Sequence, residues 1–279
     1  MLQEKLPCIV AHLWYNAGRE DFAMDRTKID KIAQTDEDKI LLSHLWDKIS
    51  AGMRKNVPVS TCFLSPREQE LARFLFGNQP GLFAFGGYED ATRKMLVYLP
   101  EEAVADEAGL CCLRAAFYEK DSLSHRDFLG ALMGAGVARE AVGDICIASG
   151  SCDFFVAKEI APYLLQELES VGRAKIKLVR ISLADAYIPE PETEEIRDTL
   201  ASLRLDSVLS SGFRISRSAA SEYVCAGKAT LNGLPCEKPD KPVEEGAVLS
   251  VRGLGKIRLK SVGGQSKKGR IFVIIEHYL

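Results

Sequence analysis

The sequence predicts an α+β protein in three parts, and three observations carry that prediction. Residues 110–182 run in the order β-α-β-β-α-β, helical patterns with clear caps precede them, and a strand-rich module with excess Lys and Arg follows. At 279 residues, 47% hydrophobic and 27% charged, the chain has the composition of a soluble protein of two or three domains. Its net charge of −3 conceals an asymmetry: residues 203–279 carry 13 Lys and Arg against 7 Asp and Glu, and the remainder carries 23 against 32. A basic module on an acidic body suits a polyanion that docks at one end.

Taken in order, residues 1–23 read as an N-terminal extension. Their apolar stretch "CIVAHLWY" is short, contains His12 and lacks a small-residue cleavage site, so it makes a poor signal peptide. No apolar run approaches the length of a membrane span, and no membrane is expected as a partner. A small helical N-terminal unit is expected over 24–84. In "TDEDKILLSHLWDKISAGM", Ile40, Leu41, Leu45, Ile49 and Met53 recur at helical spacing. In "LSPREQELARFLFG", Ser65 caps, Pro66 takes the first helical position, Glu68 closes a capping box and Gly77 ends the helix.

The middle domain is expected over 85–184. "FGGYED" reads as a turn and "RKMLVYLP" as a strand. Then come strand "LCCLRAAFY", helix "SHRDFLGALMGAG" with Phe128, Leu129, Leu132 and Met133 inward, strands "GDICIAS" and "CDFFVAK", helix "APYLLQELESVG" and strand "KIKLVRIS". That order defines a split-βαβ sandwich of the ferredoxin or RNA-recognition-motif (RRM) type. An RRM carries a basic-Gly-aromatic signature on its inner strand. "SGSCDFFVA" offers Phe154 and Phe155 without the basic-Gly part, so at least one of the two belongs to the core, and Arg126, Arg139 and Lys158 are the cations left for a surface contact. Adjacent Cys111 and Cys112 point to opposite faces of their strand, which buries one of them. The eight cysteines form no CxxC pair and the four histidines are scattered, so no metal site, disulfide framework or cofactor is expected.

Residues 185–202, acidic at the start with Pro189 and Pro191, read as an extended linker. In the last part, 203–279, "SLRLDSVLSS" and "SRSAASEYVCAG" read as two short helices, the second capped by Ser216 and closed by Gly227. "KATLNGLPC" is a hairpin about Asn232-Gly233, suited to a type I′ turn. "AVLSVRG", "KIRLKSV" and "IFVIIE" are strands. In "KIRLKSV", Lys256, Arg258 and Lys260 face outward against inward Ile257, Leu259 and Val262, and "GGQSKKGR" is a basic loop bearing Lys267, Lys268 and Arg270.

With Arg252 these make seven cations and no carboxylate over 246–275. A merely solvated face mixes signs, so the pattern favours nucleic-acid binding. Arg214 and Arg217 add two cations at the start of the second helix, where exposed N–H groups also attract phosphate. Tyr223 and Phe272 read as core by their spacing, and the resulting shortage of stacking aromatics favours folded RNA over single strands.

The stretch "LRLDSVLSSGFRISRSAASEYVCAGKATLNG" followed by "KPVEEGAVLSV" resembles the RNA-binding domain of small-subunit ribosomal protein four, the S-four domain. The resemblance implies RNA contacts from the first helix, the second-helix entrance and the hairpin: by position, Arg204, Arg214, Ser216, Arg217, Lys228 and Asn232. Arg214, Arg217 and Lys228 are expected to converge as a phosphate cradle at the N-terminus of the second helix. "HRDFLGALMGAGVAREAVGDI", with "FGGYEDATRKM" and "FLSPREQE", resembles the YlmH-type bacterial proteins over nearly the whole chain from about residue 24. That resemblance implies a non-enzymatic, cytoplasmic RNA-binding protein associated with large ribosomal subunits obstructed by peptidyl-tRNA, in quality control of stalled nascent chains. It also implies a link to cell division. Structured RNA, ribosomal or transfer, is the implied partner, and no small-molecule substrate is evident.

Two other classes have some support in the residues. "RLDSVLSSG" resembles the catalytic stretch of pseudouridine synthases, whose Asp is a nucleophile, so an RNA-modifying enzyme targeted by an S-four module is the runner-up. Only 67 residues follow Gly212, all used by the module, and Asp206 therefore reads as a helix-surface or capping residue. "HRDFLG" fails as a kinase catalytic loop because Leu132 stands where asparagine is needed. A protein–protein adaptor working through the acidic body is the third class.

Overall fold

The computed structural model of this chain describes residues 26–101, 103 and 108–279; the extension expected at 1–23 lies outside the described residues. The chain divides between Pro189 and Glu190 into two compact units.

The first unit opens with helices α1 (Ile29–Ile32) and α2 (Asp36–Lys55). Strand β1 (Val59–Leu64), helix α3 (Pro66–Phe76), and strands β2 (Leu82–Phe85) and β3 (Lys94–Tyr98) follow. The expected helices form, and the Ser65–Glu68 capping box is in place. The apolar face of α2 is rotated from the expected one: Leu42, Leu45 and Ile49 are buried, while Ile40 is 59% exposed. A three-stranded antiparallel sheet in the order β1-β3-β2 accompanies the helices. Strand β3, expected to open the middle domain, sits instead between two partners from the N-terminal part.

One carboxylate ties the starts of α2 and α3 together. Asp38 accepts backbone N–H groups of Gln34 (3.0 Å) and Thr35 (3.2 Å), and both of its oxygens accept from the Arg67 guanidinium (2.6 and 2.7 Å). Hydrogen bonding from Arg67 is the main reason the carboxyl is held down to about 2. A depressed carboxyl stabilises the fold above its unfolded value near 3.9, and that contribution, about 2 kcal/mol, is lost as pH falls toward 2. Asp38→Ala is therefore expected to cost about 2–4 kcal/mol at pH 7 and to flatten the acid limb of stability against pH. Urea denaturation at pH 7 and at pH 2.5 checks this; an unchanged acid limb would contradict it.

The rest of the unit is β4 (Leu110–Ala116), α4 (His125–Gly134), β5 (Val142–Ala148), β6 (Ser151–Ala157), α5 (Ala161–Glu167), the short hairpin β7 (Ser170–Val171) and β8 (Ala174–Lys175), and β9 (Lys177–Ile181). The sheet order β5-β6-β4-β9, all antiparallel, is that of the split-βαβ sandwich. On one face Phe128, Leu132 and Leu164 pack against Leu113, Phe154 and Val156. On the other, Cys112, Cys146 and Phe155 pack against Phe63, Met95 and Val97 of the N-terminal part. Gly143 permits this approach, since a Cβ there would lie 2.6 Å from the Phe63 ring. The "FGGYED" turn is pinned to β5 by Asp144, which accepts from the Tyr88 hydroxyl (2.8 Å) and the Thr92 and Arg93 N–H groups (2.5 and 3.1 Å).

Both sheet faces are thus covered, and both Phe154 and Phe155 are fully buried. Cys111 and Cys112 are both buried as well, one in each core. The face on which an RRM stacks bases is closed here.

In the second unit, strand β10 (Thr193–Leu200) precedes helices α6 (Leu205–Gly212) and α7 (Arg217–Cys225). Strands β11 (Ala229–Leu231), β12 (Leu234–Pro235), β13 (Val248–Val251), β14 (Gly255–Gln265) and β15 (Ile271–Tyr278) complete it. The six strands lie in the order β10-β15-β14-β13-β11-β12. Val208, Leu209, Ala220 and Val224 of the helices pack against Leu249, Ile257, Leu259 and Ile275.

The expected linker needs correcting. Eight residues of 185–202 form β10, paired with β15 over its whole length from Thr193–Tyr278 to Leu200–Ile271. A fragment that folds alone must therefore start near Glu190, not at 203. Elsewhere the local signals hold. Asn232 and Gly233 both have positive φ (50° and 79°), as a type I′ turn requires. Helix α7 closes through Gly227, with Lys228 N–H bonded to Tyr223 O and Gly227 N–H to Val224 O. A bulge between Leu259 and Ser261 lets Ile257, Leu259 and Val262 all face the core.

Candidate nucleic-acid interface

Helix α6 begins with a buried carboxylate flanked by two guanidiniums. Asp206 is 4% exposed. It accepts from Arg204 (3.3 Å to each oxygen) and from Arg217 (3.0 and 3.4 Å). Burial pushes the Asp206 carboxyl up, but the hydrogen bonds from Arg217 and Arg204 outweigh it and hold it below the ordinary carboxylate value. A carboxylate in the first turn also complements the helix dipole. The trio keeps one net positive charge, and the Arg204 and Arg217 side chains stay 41% and 53% exposed.

Arg214 sits in the turn between the helices with φ of 53°, and its guanidinium pairs with Glu194 at the start of β10. Ser216 caps α7, its hydroxyl accepting the Ala219 N–H at 3.1 Å. Arg270 reaches back to the hydroxyl and carbonyl of Thr199 on β10.

One groove of about 440 Å³ is lined by Arg197, Arg214, Arg217 and Arg270, with Ser207, Ser210, Ser211 and Asp198 and the apolar Ile196, Leu200, Ala201 and Ile215. Asp198 is occupied by the Ser211 hydroxyl at 2.7 Å. The three serine hydroxyls donate within the fold, to Asp206, the Ile215 carbonyl and Asp198, and Arg197, Arg214 and Arg217 pair with Glu195, Glu194 and Asp206, so the partly exposed guanidiniums are the groove's outward-facing donors. Arg197, 78% exposed, is the lining cation the sequence reading missed; it lies in the acidic stretch "ETEEIRDTL", where its neighbours mask it.

The expected cradle is brought together only in part. Arg214 and Arg217 share the groove, but Lys228 lies beyond the other end of α7, about 13 Å along the helix by its length. Lys228 stands over the Tyr223 ring at 5.6 Å, and its carbonyl accepts the Arg252 N–H at 2.9 Å. Asn232 spends its side-chain carbonyl on the Val248 N–H at 3.0 Å.

Lys256, Arg258 and Lys260 occupy β14 and do not line the groove. Lys256 stands 3.9 Å over the Tyr278 ring. Lys260 bonds Glu195 and Glu276 at 2.7 Å each, and these bonds push it up to about 12. The basic strand is thus partly neutralised within its own sheet. Lys267 and Lys268 are exposed in the loop before Arg270. Phe272, expected in the core, is 51% exposed.

A two-helix module on an antiparallel sheet, with an arginine-lined groove at the helix entrance, defines an RNA-binding module of the S-four class, and residues 203–249 match the family model "S4 domain". Residues 116–185 match a model described as "Putative RNA-binding domain in YlmH". Over 220 residues the chain is 36% identical to "Ribosome-associated protein quality control protein P2" of Bacillus subtilis (strain 168), covering 77% of this chain and 86% of that one. The chain belongs to the YlmH family. A solved structure titled "Cell division protein ylmH from Streptococcus pneumoniae" aligns with 56% of this chain and 98% of its own, at 14% identity and a TM-score of 0.47.

Proposed function

We propose that this protein is a non-enzymatic, cytoplasmic RNA-binding factor that docks on large ribosomal subunits carrying peptidyl-tRNA and serves quality control of stalled nascent chains. The observation that carries the reading is the groove of Arg197, Arg214, Arg217 and Arg270, whose exposed guanidiniums suit the phosphates of folded RNA. The relative named for ribosome-associated quality control supports the ribosomal assignment. No described helix is long and apolar enough to cross a membrane. The pseudouridine-synthase alternative asks Asp206 to attack a base, whereas this carboxylate is buried and held by two arginines.

Co-sedimentation of the full chain with purified large subunits tests the proposal. Subunits bearing peptidyl-tRNA are expected to retain more protein than empty ones, with retention falling steeply as salt rises. Equal retention by both, or retention by small subunits alone, would overturn it.

A further inference from the structure

Strand β15 carries apolar residues on both faces. Val273 and Ile275 enter the core, but Phe272 points to the opposite face, half exposed, where the fold has no use for it. Among the described residues its ring meets no other aromatic ring and no cation. Its strand neighbours are small. Thr199 lies opposite on β10, and Gly263 lies beside it on β14, where an added Cβ would come 3.3 Å from that of Phe272. Gly263 is not in the left-handed region; its missing side chain avoids the Phe272 Cβ and carbonyl, and it places nothing over the ring.

The surroundings are cationic. Arg270, two residues earlier, is tied to Thr199, the cross-strand partner of Phe272. Arg197 stands two residues away on β10, and Lys267 and Lys268 project from the adjoining loop. Arg197 and Arg270 also line the groove. A protein-docking patch is depleted of charge at its centre; an aromatic ring with Arg and Lys on the neighbouring strand and loop fits a nucleobase whose flanking phosphates need partners.

We infer that Phe272 is a stacking platform for one unpaired nucleobase of an RNA whose backbone lies in the arginine groove. The inference rests on the RNA-binding reading of that groove. It also narrows the ligand: a folded RNA with a bulged or overhanging nucleotide beside its helix, not an uninterrupted duplex. Stacking one base on an aromatic ring changes affinity by roughly 5- to 150-fold.

The test uses the full chain and two RNA hairpins, one fully paired and one with a single bulged 2-aminopurine. Wild type is expected to prefer the bulged hairpin and to quench its fluorescence. Phe272→Ala should lose the preference and the quenching, with affinity for the paired hairpin and the salt slope unchanged; Phe272→Trp should restore both. The inference is overturned if Phe272→Ala binds the bulged hairpin like wild type, as it would if the ring served a protein partner. It is also overturned if both affinities fall together, which would mark a structural role. If wild type binds neither hairpin, the groove reading itself fails and takes the platform with it.

Discussion

Replacing Arg197 and Arg214 together by glutamate is expected to lower affinity for structured RNA by roughly 100-fold, since each lost charged hydrogen bond is worth a factor of ten or more. Both side chains are largely exposed, 78% and 66%, and the carboxylates they pair with, Glu195 and Glu194, are 39% and 44% exposed, so solvent screens the new repulsion and the melting temperature should stay near that of wild type. The slope of log affinity against log salt should shrink by about 0.7–0.9 for each phosphate contact removed. Binding measured at several salt concentrations, with circular dichroism as control, checks this. An unchanged slope would move the RNA surface away from the groove. Arg217 is a poorer probe than the sequence suggests. Arg217→Glu brings a second carboxylate against Asp206, which is 4% exposed, so stability and binding fall together.

The second large effect concerns Asp206. Asp206→Ala should destabilise the second unit by about 2–3 kcal/mol, because it removes hydrogen bonds from two guanidiniums and a carboxylate from the first turn of α6. The folded carboxyl lies below its unfolded value. Its stabilisation is therefore present above pH 4 or so and is lost as pH falls through the folded value. Asp206→Ala should accordingly narrow the stability gap between pH 7 and pH 3. Urea denaturation of the 190–279 fragment at those two pH values measures it. Wild-type stability in the variant would show that the carboxylate does not anchor the arginines.

What the sequence makes legible is what local chemistry decides. Ser65-Pro66 with Glu68 and Ser216 each satisfy backbone groups within a few residues, Asn232-Gly233 turns the chain between paired Leu231 and Leu234, and each behaves as expected. The middle sheet follows from apolar runs that alternate with one amphipathic helix at a time. Strand β10 escapes because "TEEIRDTL" has only Ile196 and Leu200 to mark its buried face, and its partner lies more than seventy residues away. The groove escapes with it, since Arg197 and the Thr199 anchor of Arg270 both sit on that strand. Phe272 is misread because "IFVIIE" is apolar at every early position, so alternation cannot say which side faces in. Lys228 is adjacent to the helix in sequence, but a nine-residue helix carries it to the far end.

The central claim is that the arginine groove holds ribosomal RNA or tRNA. Ultraviolet crosslinking of the full chain in cells, followed by sequencing of the attached RNA, tests it most directly. The account predicts crosslinks concentrated in large-subunit ribosomal RNA and tRNA, and their collapse in the Arg197→Glu, Arg214→Glu double variant. Crosslinks scattered over messenger RNA, or an unchanged ribosomal pattern in that variant, would contradict it.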